Sequence, residues 1–501
     1  MHGQSQLMTK VEYFLGRYEA PILLLLLVSV LLVNSQGLSW GLPAFWNTDE
    51  IATSVIPSLN GPVDFNQTNF DYPSLPKYVM LFIGRITDLL GYPRTSFILV
   101  SRFCSVFLGA ITIWLAYALV KAAGGKRFSA LLAALFTATS SELSLNSHFA
   151  HNDLYVTFFV GLTVILAIKY LYTDNKTWLY ASFFATGLAA SSKYNGGAVI
   201  LTSILAHLLL QKRSIWLHKI QTFETAFVGA GLSFLGFALG TPTALTSSAF
   251  YIKRLLPALW RHANYNRTPA SLPGIIRQWS IMEKTFGNLL LILFLATFLF
   301  FLFFFILSVY KRQLRSHLHI HPALLIMSAI IALDLPILVS YNLHQRFFLP
   351  LLPLFSALAG LAIEEIHNWL RRYNKPLIQN LTFAAIMLIV LFTGLRVVSV
   401  ILSIKHDARI PAAEYIETLP PQATYEVTMY GPNFKEDQYQ HILIYPMVFL
   451  KFPGQEPPKD RFLDYNSGEK GIEERKPDYF IASSFIYNRF TNEYICQLHQ
   501  A

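Results

Sequence analysis

Residues 289–310 read LLLILFLATFLFFLFFFILSVY. The run holds no charged side chain and reaches the ~20 apolar residues that an α-helix needs to cross a bilayer. Pro21–Val33 and Phe383–Leu402 reach or approach the same requirement. Across the 501 residues, 53% are hydrophobic, 15% aromatic and 14% charged, where a soluble chain carries nearer a quarter charged residues. The mean hydropathy is +0.42. The chain therefore reads as a polytopic α-helical membrane protein. Its first apolar stretch lacks a small-residue cleavage site and reads as a retained helix.

About eleven spans are predicted, at roughly 20–36, 97–120, 128–145, 152–172, 178–192, 196–211, 221–240, 286–310, 322–340, 347–366 and 377–402. Alternate loops carry the clusters Lys121 with Lys126 and Arg127, Lys176, Lys212 with Arg213 and Lys219, Lys311 with Arg312 and Arg315, and Arg371 with Arg372 and Lys375. The positive-inside rule makes those loops cytoplasmic. By the same parity the N-terminus is inside, while the 37–96 loop, the 241–285 loop and the tail are outside.

The net charge of +10 is unevenly spread. From residue 403 onward 10 Lys and Arg face 14 Asp and Glu, so the tail is acidic and the remainder strongly basic. Basic residues in such a chain mark cytoplasmic loops and lipid headgroups. No basic, aromatic-interleaved soluble domain is present, which excludes a nucleic-acid binder. Cys104 and Cys496 lie too far apart to suggest a disulfide framework or a cysteine metal site.

The organisation expected is a membrane-embedded domain over 1–402 and a small extracytoplasmic α/β domain over 403–501. In the tail, a helix-like stretch over 410–419 precedes β-prone pieces at 424–430, 441–450 and 479–482. The 37–96 loop is long for a bundle connector, and such loops are usually functional or disordered. The 241–285 loop breaks the charge rule, with Lys253, Arg254, Arg261, Arg267, Arg277 and Lys284 on the outer side. Those cations either line a site for an anionic ligand or belong to a helix lying on the membrane surface.

Charged residues with no obvious solvent role gather on that outer side. Asp49 and Glu50 follow the first span in Asn47-Thr48-Asp49-Glu50. Asp71 and Lys77 bracket Asp71-Tyr72-Pro73-Ser74-Leu75-Pro76-Lys77, and Arg102 opens the second span. Asp153 closes His148-Phe149-Ala150-His151-Asn152-Asp153, Lys193 lies in Ser191-Ser192-Lys193-Tyr194-Asn195-Gly196, and Arg346 lies in His344-Gln345-Arg346-Phe347-Phe348-Leu349-Pro350. Charges at a membrane boundary are costly and tend to pair with one another or with a ligand. Gathered at one depth, they suggest a phosphate site flanked by carboxylates. His148, His151 and Asp153 could share a helix face as metal ligands, although interfacial histidines also serve as plain hydrogen-bonding groups. The sequons at Asn66 and Asn266 fall in the outer loops.

In this order the motifs resemble the GT-C superfamily of polyprenyl-phosphate-sugar-dependent glycosyltransferases, in particular the protein O-mannosyltransferase and aminoarabinose-transferase-like group. Asp49-Glu50 is similar to the acidic pair of their first external loop, and Asp71–Lys77 to the proline motif before their second span. Arg102-Phe103 with Leu108-Gly109-Ala110 resembles the start of that span. Ser147–Phe159, Gly187–Gly196 and Arg346–Gly360 resemble further membrane signatures. The likeness covers most of residues 1–415. It departs at Tyr72-Pro73-Ser74, where the mannosyltransferases have His-Pro-Pro, so neither sugar nor acceptor carries over.

The resemblance implies an integral protein of the plasma (inner) membrane, part of the cell envelope, with an extracytoplasmic active site. The partners implied are a polyprenyl-phosphate-linked sugar donor and a protein, lipid or glycan acceptor. A base must take the acceptor's proton, and a positioned carboxylate does so. The leaving phosphate has a second pKa of about 6 and needs no protonation. A second carboxylic acid of the glycosidase kind is then unnecessary. Cations that stabilise charge as the bond breaks are required instead. The assignment is Asp49 as base and Glu50 positioning acceptor or sugar, with Arg346, Lys193 and Arg102 on the phosphate. Asp153, Asp71 and Lys77 complete the site. No cofactor is expected, with a divalent metal as the alternative. Direct displacement implies inversion at the anomeric carbon. The competing readings are a transporter or flippase of lipid-linked sugars and a non-catalytic membrane scaffold.

Overall fold

The structure, a computed structural model, describes residues 3–42, 46–47, 49–59, 72–211, 219–264, 274–310, 319–420, 423–428, 431–432, 441–444, 462–464 and 476–481. Asp71, both sequons, Cys496 and the basic clusters at 212–213 and 311–315 lie outside these residues. The helices in order are α1 (Gly3–Asn34), α2 (Leu75–Leu89), α3 (Arg94–Ala122), α4 (Arg127–Ala138), α5 (Ser141–Ser147), α6 (Asp153–Thr173), α7 (Lys176–Ser192), α8 (Ile200–Leu210) and α9 (Lys219–Gly240). There follow α10 (Thr243–Thr246), α11 (Ser248–Asn264), α12 (Gly274–Phe286), α13 (Asn288–Tyr310), α14 (Ile320–Val339), α15 (Leu352–Arg372), α16 (Pro376–Lys405) and α17 (Arg409–Glu417). Short 3₁₀ turns precede α2, α8 and α15, at Ile51–Ser58, Tyr194–Val199 and Gln345–Leu351.

Among the described residues eight helices are long and apolar enough to cross a membrane, or nine if one bent pair counts as a single span. The chain is an integral membrane protein. The difference from the expected eleven has a local cause. Stretches taken as separate spans at 178–192 and 196–211 are short helices, α7 and α8, broken at Lys193, whose backbone is extended. The stretch at 128–145 is α4 and α5, bent by 62°. There Ser140 starts the second piece by accepting the Leu143 N–H with its side chain, as serine does at helix N-termini.

Two units divide the chain. One comprises 1–38 and 49–401, the other 39–48 and 402–501. At the centre of the first, every residue of α15 from Leu352 to Glu364 is buried. A helix that is apolar on all sides sits inside a bundle, not at its edge. It is packed by α3, α4, α13 and α14, with Phe355 stacked on Phe294 at 5.3 Å between ring centres. By contrast α1 and α16 leave many leucines exposed, the pattern of lipid-facing helices. α7 and α9 cross through glycine, since a methyl at Gly187 would strike the Ser233 carbonyl and the Phe237 amide, and one at Gly236 the Phe184 carbonyl. Small residues at such a crossing let two backbones approach closely.

In the second unit, Trp40 and Trp46 meet edge to face at 5.4 Å. The Arg409 guanidinium lies 4.1 Å from the Trp46 ring and 5.0 Å from the Trp40 ring. Asp407 accepts hydrogen bonds from Arg409 and from the Trp40 indole N–H. Four short strands, β1 (Tyr425–Thr428), β2 (His441–Ile444), β3 (Phe462–Asp464) and β4 (Tyr479–Ile481), pair in parallel in the order β3-β2-β1-β4. Val427 stands opposite Ile442 on one side and Ile481 on the other.

Candidate active site

The breaks in the helices build the site. The turn 148–152 between α5 and α6 delivers His151 and leads into Asp153, the first residue of α6. The break after α7 delivers Lys193, and its tightness depends on Gly196, where a methyl would lie 2.6 Å from the Ala189 carbonyl oxygen. The 3₁₀ turn before α15 delivers Arg346. Asp49 opens the membrane unit's share of the first loop.

Arg346 Nη1 donates to Asp49 Oδ2 at 2.9 Å, and its Nε lies 3.8 Å from Asp153 Oδ2. Asp153 also accepts from Lys193 Nζ at 2.6 Å and has His151 Nδ1 2.6 Å from its other oxygen. Asp153 is buried, whereas the Asp49 side chain is 50% exposed. Four sequence-predicted residues, Asp49, Asp153, Lys193 and Arg346, thus form one connected cluster with two charges of each sign. Burial favours the neutral form of the Asp49 carboxyl, but the Arg346 charge and hydrogen bond outweigh it and hold its pKa below the ordinary 3.8. Burial pushes the His151 imidazole down as well, against the pull of Asp153, so the ring favours its neutral form.

Glu50 and Arg102 stand apart from this cluster. Arg102 Nε and Nη2 each donate to Glu50 at 2.8 Å, and neither side chain has exposed surface. Glu50 also accepts the Ala150 N–H at 2.8 Å, while Arg102 Nη1 donates to the Leu38 carbonyl at 2.6 Å. A bidentate pair of this kind is a strong and geometrically specific tie. It fastens the first loop to α3 and to the turn that carries His151. Glu50, expected to position acceptor or sugar, and Arg102, expected on the phosphate, are closed around one another away from solvent and are not brought into the cluster of Asp49 and Arg346. Lys77 is likewise buried and donates to the Tyr72 carbonyl at 3.2 Å, which steadies the proline motif.

A cavity of about 350 Å³ adjoins the cluster. Tyr72, Lys193, Asn195, His262, Ser340 and Phe347 line it, with apolar groups of α11 and α14 completing the wall. Lys193 Nζ lies 4.1 Å from the Phe347 ring centre, a cation–π contact. Tyr72 stands edge-on to His151 at 5.3 Å. Tyr72, His262 and Phe347 were not assigned from sequence, and His151 was read there only as a possible metal ligand or hydrogen-bonding group. Tyr72, His151 and Phe347 lie inside quoted motifs, but a search for charge passes over aromatic and neutral groups. His148 turns its ring nitrogens to the Ser144 and Gln36 carbonyls at 2.8 and 3.0 Å. Among the described residues no group of three His, Cys, Asp or Glu is placed to hold a metal ion.

Residues 90–254 match the family model described as dolichyl-phosphate-mannose-protein mannosyltransferase. That stretch contains Arg102, Asp153 and Lys193. A Saccharomyces cerevisiae relative, dolichyl-phosphate-mannose–protein mannosyltransferase 1, is 28% identical over 167 residues, which is 32% of this chain and 20% of the relative. The chain thus spans about a fifth of that relative's length. ArnT from Cupriavidus metallidurans, solved with undecaprenyl phosphate, superposes with a TM-score of 0.54 at 14% identity, covering 89% of this chain and 90% of ArnT. The fold is similar to that of ArnT. The S. cerevisiae Pmt1–Pmt2 complex bound to its sugar donor aligns at a TM-score of 0.35 and 23% identity, over 47% of this chain and 34% of that one. The resemblance to the GT-C superfamily read from the ordered motifs is borne out.

Proposed function

We propose that this chain is a glycosyltransferase that moves a sugar from a polyprenyl-phosphate donor to an acceptor hydroxyl at the extracytoplasmic face of the plasma (inner) membrane. The single observation that carries the reading is the half-exposed Asp49 carboxylate held by Arg346 beside the buried Asp153–Lys193 pair, at the rim of a cavity. The mannosyltransferase family description and the lipid bound to ArnT support a polyprenyl-phosphate sugar as the donor class.

The charges suggest an order of events. At rest Arg346 is engaged by Asp49, and the cluster is neutral. An incoming phosphate competes for the guanidinium, whose planar fork matches phosphate oxygens in pairs. As Arg346 turns to the phosphate, Asp49 loses the charge that depressed its pKa and becomes a better base for the acceptor proton. Lys193, fixed by Asp153, supplies a second positive charge against which the leaving phosphate develops its own. One displacement of this kind inverts the anomeric centre.

The test uses purified chain in vesicles with a radiolabelled polyprenyl-phosphate sugar. Asp49→Asn is expected to lower transfer by about 10²–10⁴-fold, the usual worth of a positioned base. Transfer at the wild-type rate, or movement of the lipid between leaflets without any covalent transfer, would overturn the proposal.

A further inference from the structure

α11 carries three different faces. Tyr251, Ala258 and His262, at positions i, i+7 and i+11, face the bundle. Tyr251 is buried and its hydroxyl meets that of Tyr194 at 2.9 Å, while Ala258 and His262 line the cavity. The helix therefore lies at the same end of the bundle as Lys193, which precedes Tyr194. A second face holds Ile252, Leu256 and Trp260, at i, i+4 and i+8, all exposed, with Trp260 at 67% and Leu256 at 63%, while Leu259 between the faces lines the cavity. The third face is cationic, with Lys253, Arg254 and Arg261 exposed and the Arg254 guanidinium 5.5 Å from the Phe250 ring. From Ser248 to Asn264 the helix holds no Asp or Glu.

An apolar stripe that includes a tryptophan, flanked by cations and free of acids, is the pattern of a helix lying in the plane of a membrane interface. The charge adds a requirement that a neutral surface does not meet. Positive side chains level with the headgroups are matched by negative ones.

We propose that α11 docks on anionic phospholipid headgroups of the leaflet bordering the cavity. Ile252, Leu256 and Trp260 enter the acyl boundary while Lys253 and Arg254 engage the headgroup phosphates. Through Ala258 and His262 this contact also fixes one wall of the cavity.

The test reports on lipid contact and is independent of transferase activity. Full-length chain carrying Leu256→Cys, with both native cysteines replaced by Ala, is labelled at position 256 with an environment-sensitive fluorophore and reconstituted in nanodiscs. The nanodiscs contain either brominated phosphatidylglycerol in phosphatidylcholine, or brominated phosphatidylcholine at the same fraction beside unlabelled phosphatidylglycerol. Stronger quenching by the brominated anionic lipid is expected, weakening with added salt. Each cation near an anionic surface contributes about 1 kcal/mol, roughly fivefold, so Lys253→Gln with Arg254→Gln is expected to lower the preference by up to about 30-fold. Equal quenching by the two brominated lipids, or a preference that survives the double substitution, overturns the proposal. So does the absence of quenching by either lipid, which would mean that something other than lipid covers the helix.

Discussion

Glu50→Ala is expected to cost far more than a loop substitution normally does. In the wild-type chain the Glu50 carboxylate takes two bonds from Arg102 and one from the Ala150 N–H, each at 2.8 Å, with no solvent exposure on either charged side chain. Removing it leaves a buried guanidinium facing an empty space and an amide without its acceptor. Breaking a buried pair from one side costs about 3–5 kcal/mol, because the remaining charge is neither hydrated nor compensated. Arg102→Leu alone is expected to cost a similar amount. Replacing both, as Glu50→Ala with Arg102→Leu, removes the stranded charge. The double variant should then be little worse than either single one, giving a coupling of about 3 kcal/mol or more. Thermal or denaturant unfolding in detergent, combined with protease accessibility of residues 49–59, measures this. The reasoning fails if each single variant costs under about 1 kcal/mol, the level of an exposed pair, or if the double cost is the simple sum.

Three further outcomes follow from the geometry. Because Arg346 holds the Asp49 pKa of the free enzyme below 3.8, kcat/KM should persist down to acid pH, and the stabilisation from this pair should be full at neutral pH and lost only as pH falls through the depressed value. In Arg346→Gln the burial that raises the carboxyl remains while the lowering charge is gone, so the acid limb of the residual activity should move upward. An unmoved limb in the pH–rate profile would count against Asp49 as the titrating group. Gly187→Ala should destabilise by about 1–3 kcal/mol through overpacking against α9, whereas Gly231→Ala, which has open space around it, should be neutral or slightly stabilising. Comparing thermal inactivation of the two variants checks this. Lys193→Met should leave Asp153 buried without the hydrogen bond it accepts from the ammonium group. Transfer should then fall, and Lys193→Arg should restore it in part if the need is for positive charge; no difference between the two variants would contradict the role given to Lys193.

The membrane character and the charged residues of the cluster were legible because a charge at a membrane boundary is conspicuous against apolar sequence. What each charge does was not legible. Glu50 and Asp49 are neighbours in the chain, yet one is sealed onto Arg102 and the other is half exposed. That difference depends on where α3 and the 148–152 turn lie, which no local pattern encodes. The helix breaks at Lys193 and Ser140 were not legible for a related reason, since hydropathy registers apolar length and not a break within it. The departure of the α11 loop from the charge rule was legible, but whether its cations line a site or lie on the membrane surface was left open. The tie between Asp407, Arg409 and the two tryptophans joins positions hundreds of residues apart and left no trace beyond the tryptophans themselves.

The membership of residues 39–48 in the second unit has a practical consequence. That unit is discontinuous, with ten residues contributed from near the start of the chain and the remainder from its end. A chimaera that exchanges only the segment after 401 between two relatives would pair a foreign Arg409 and Asp407 with the resident Trp40 and Trp46. Exchanging the decapeptide along with the tail is the graft that transplants an intact unit, and comparing the two grafts would separate what the tail itself contributes from damage at the seam.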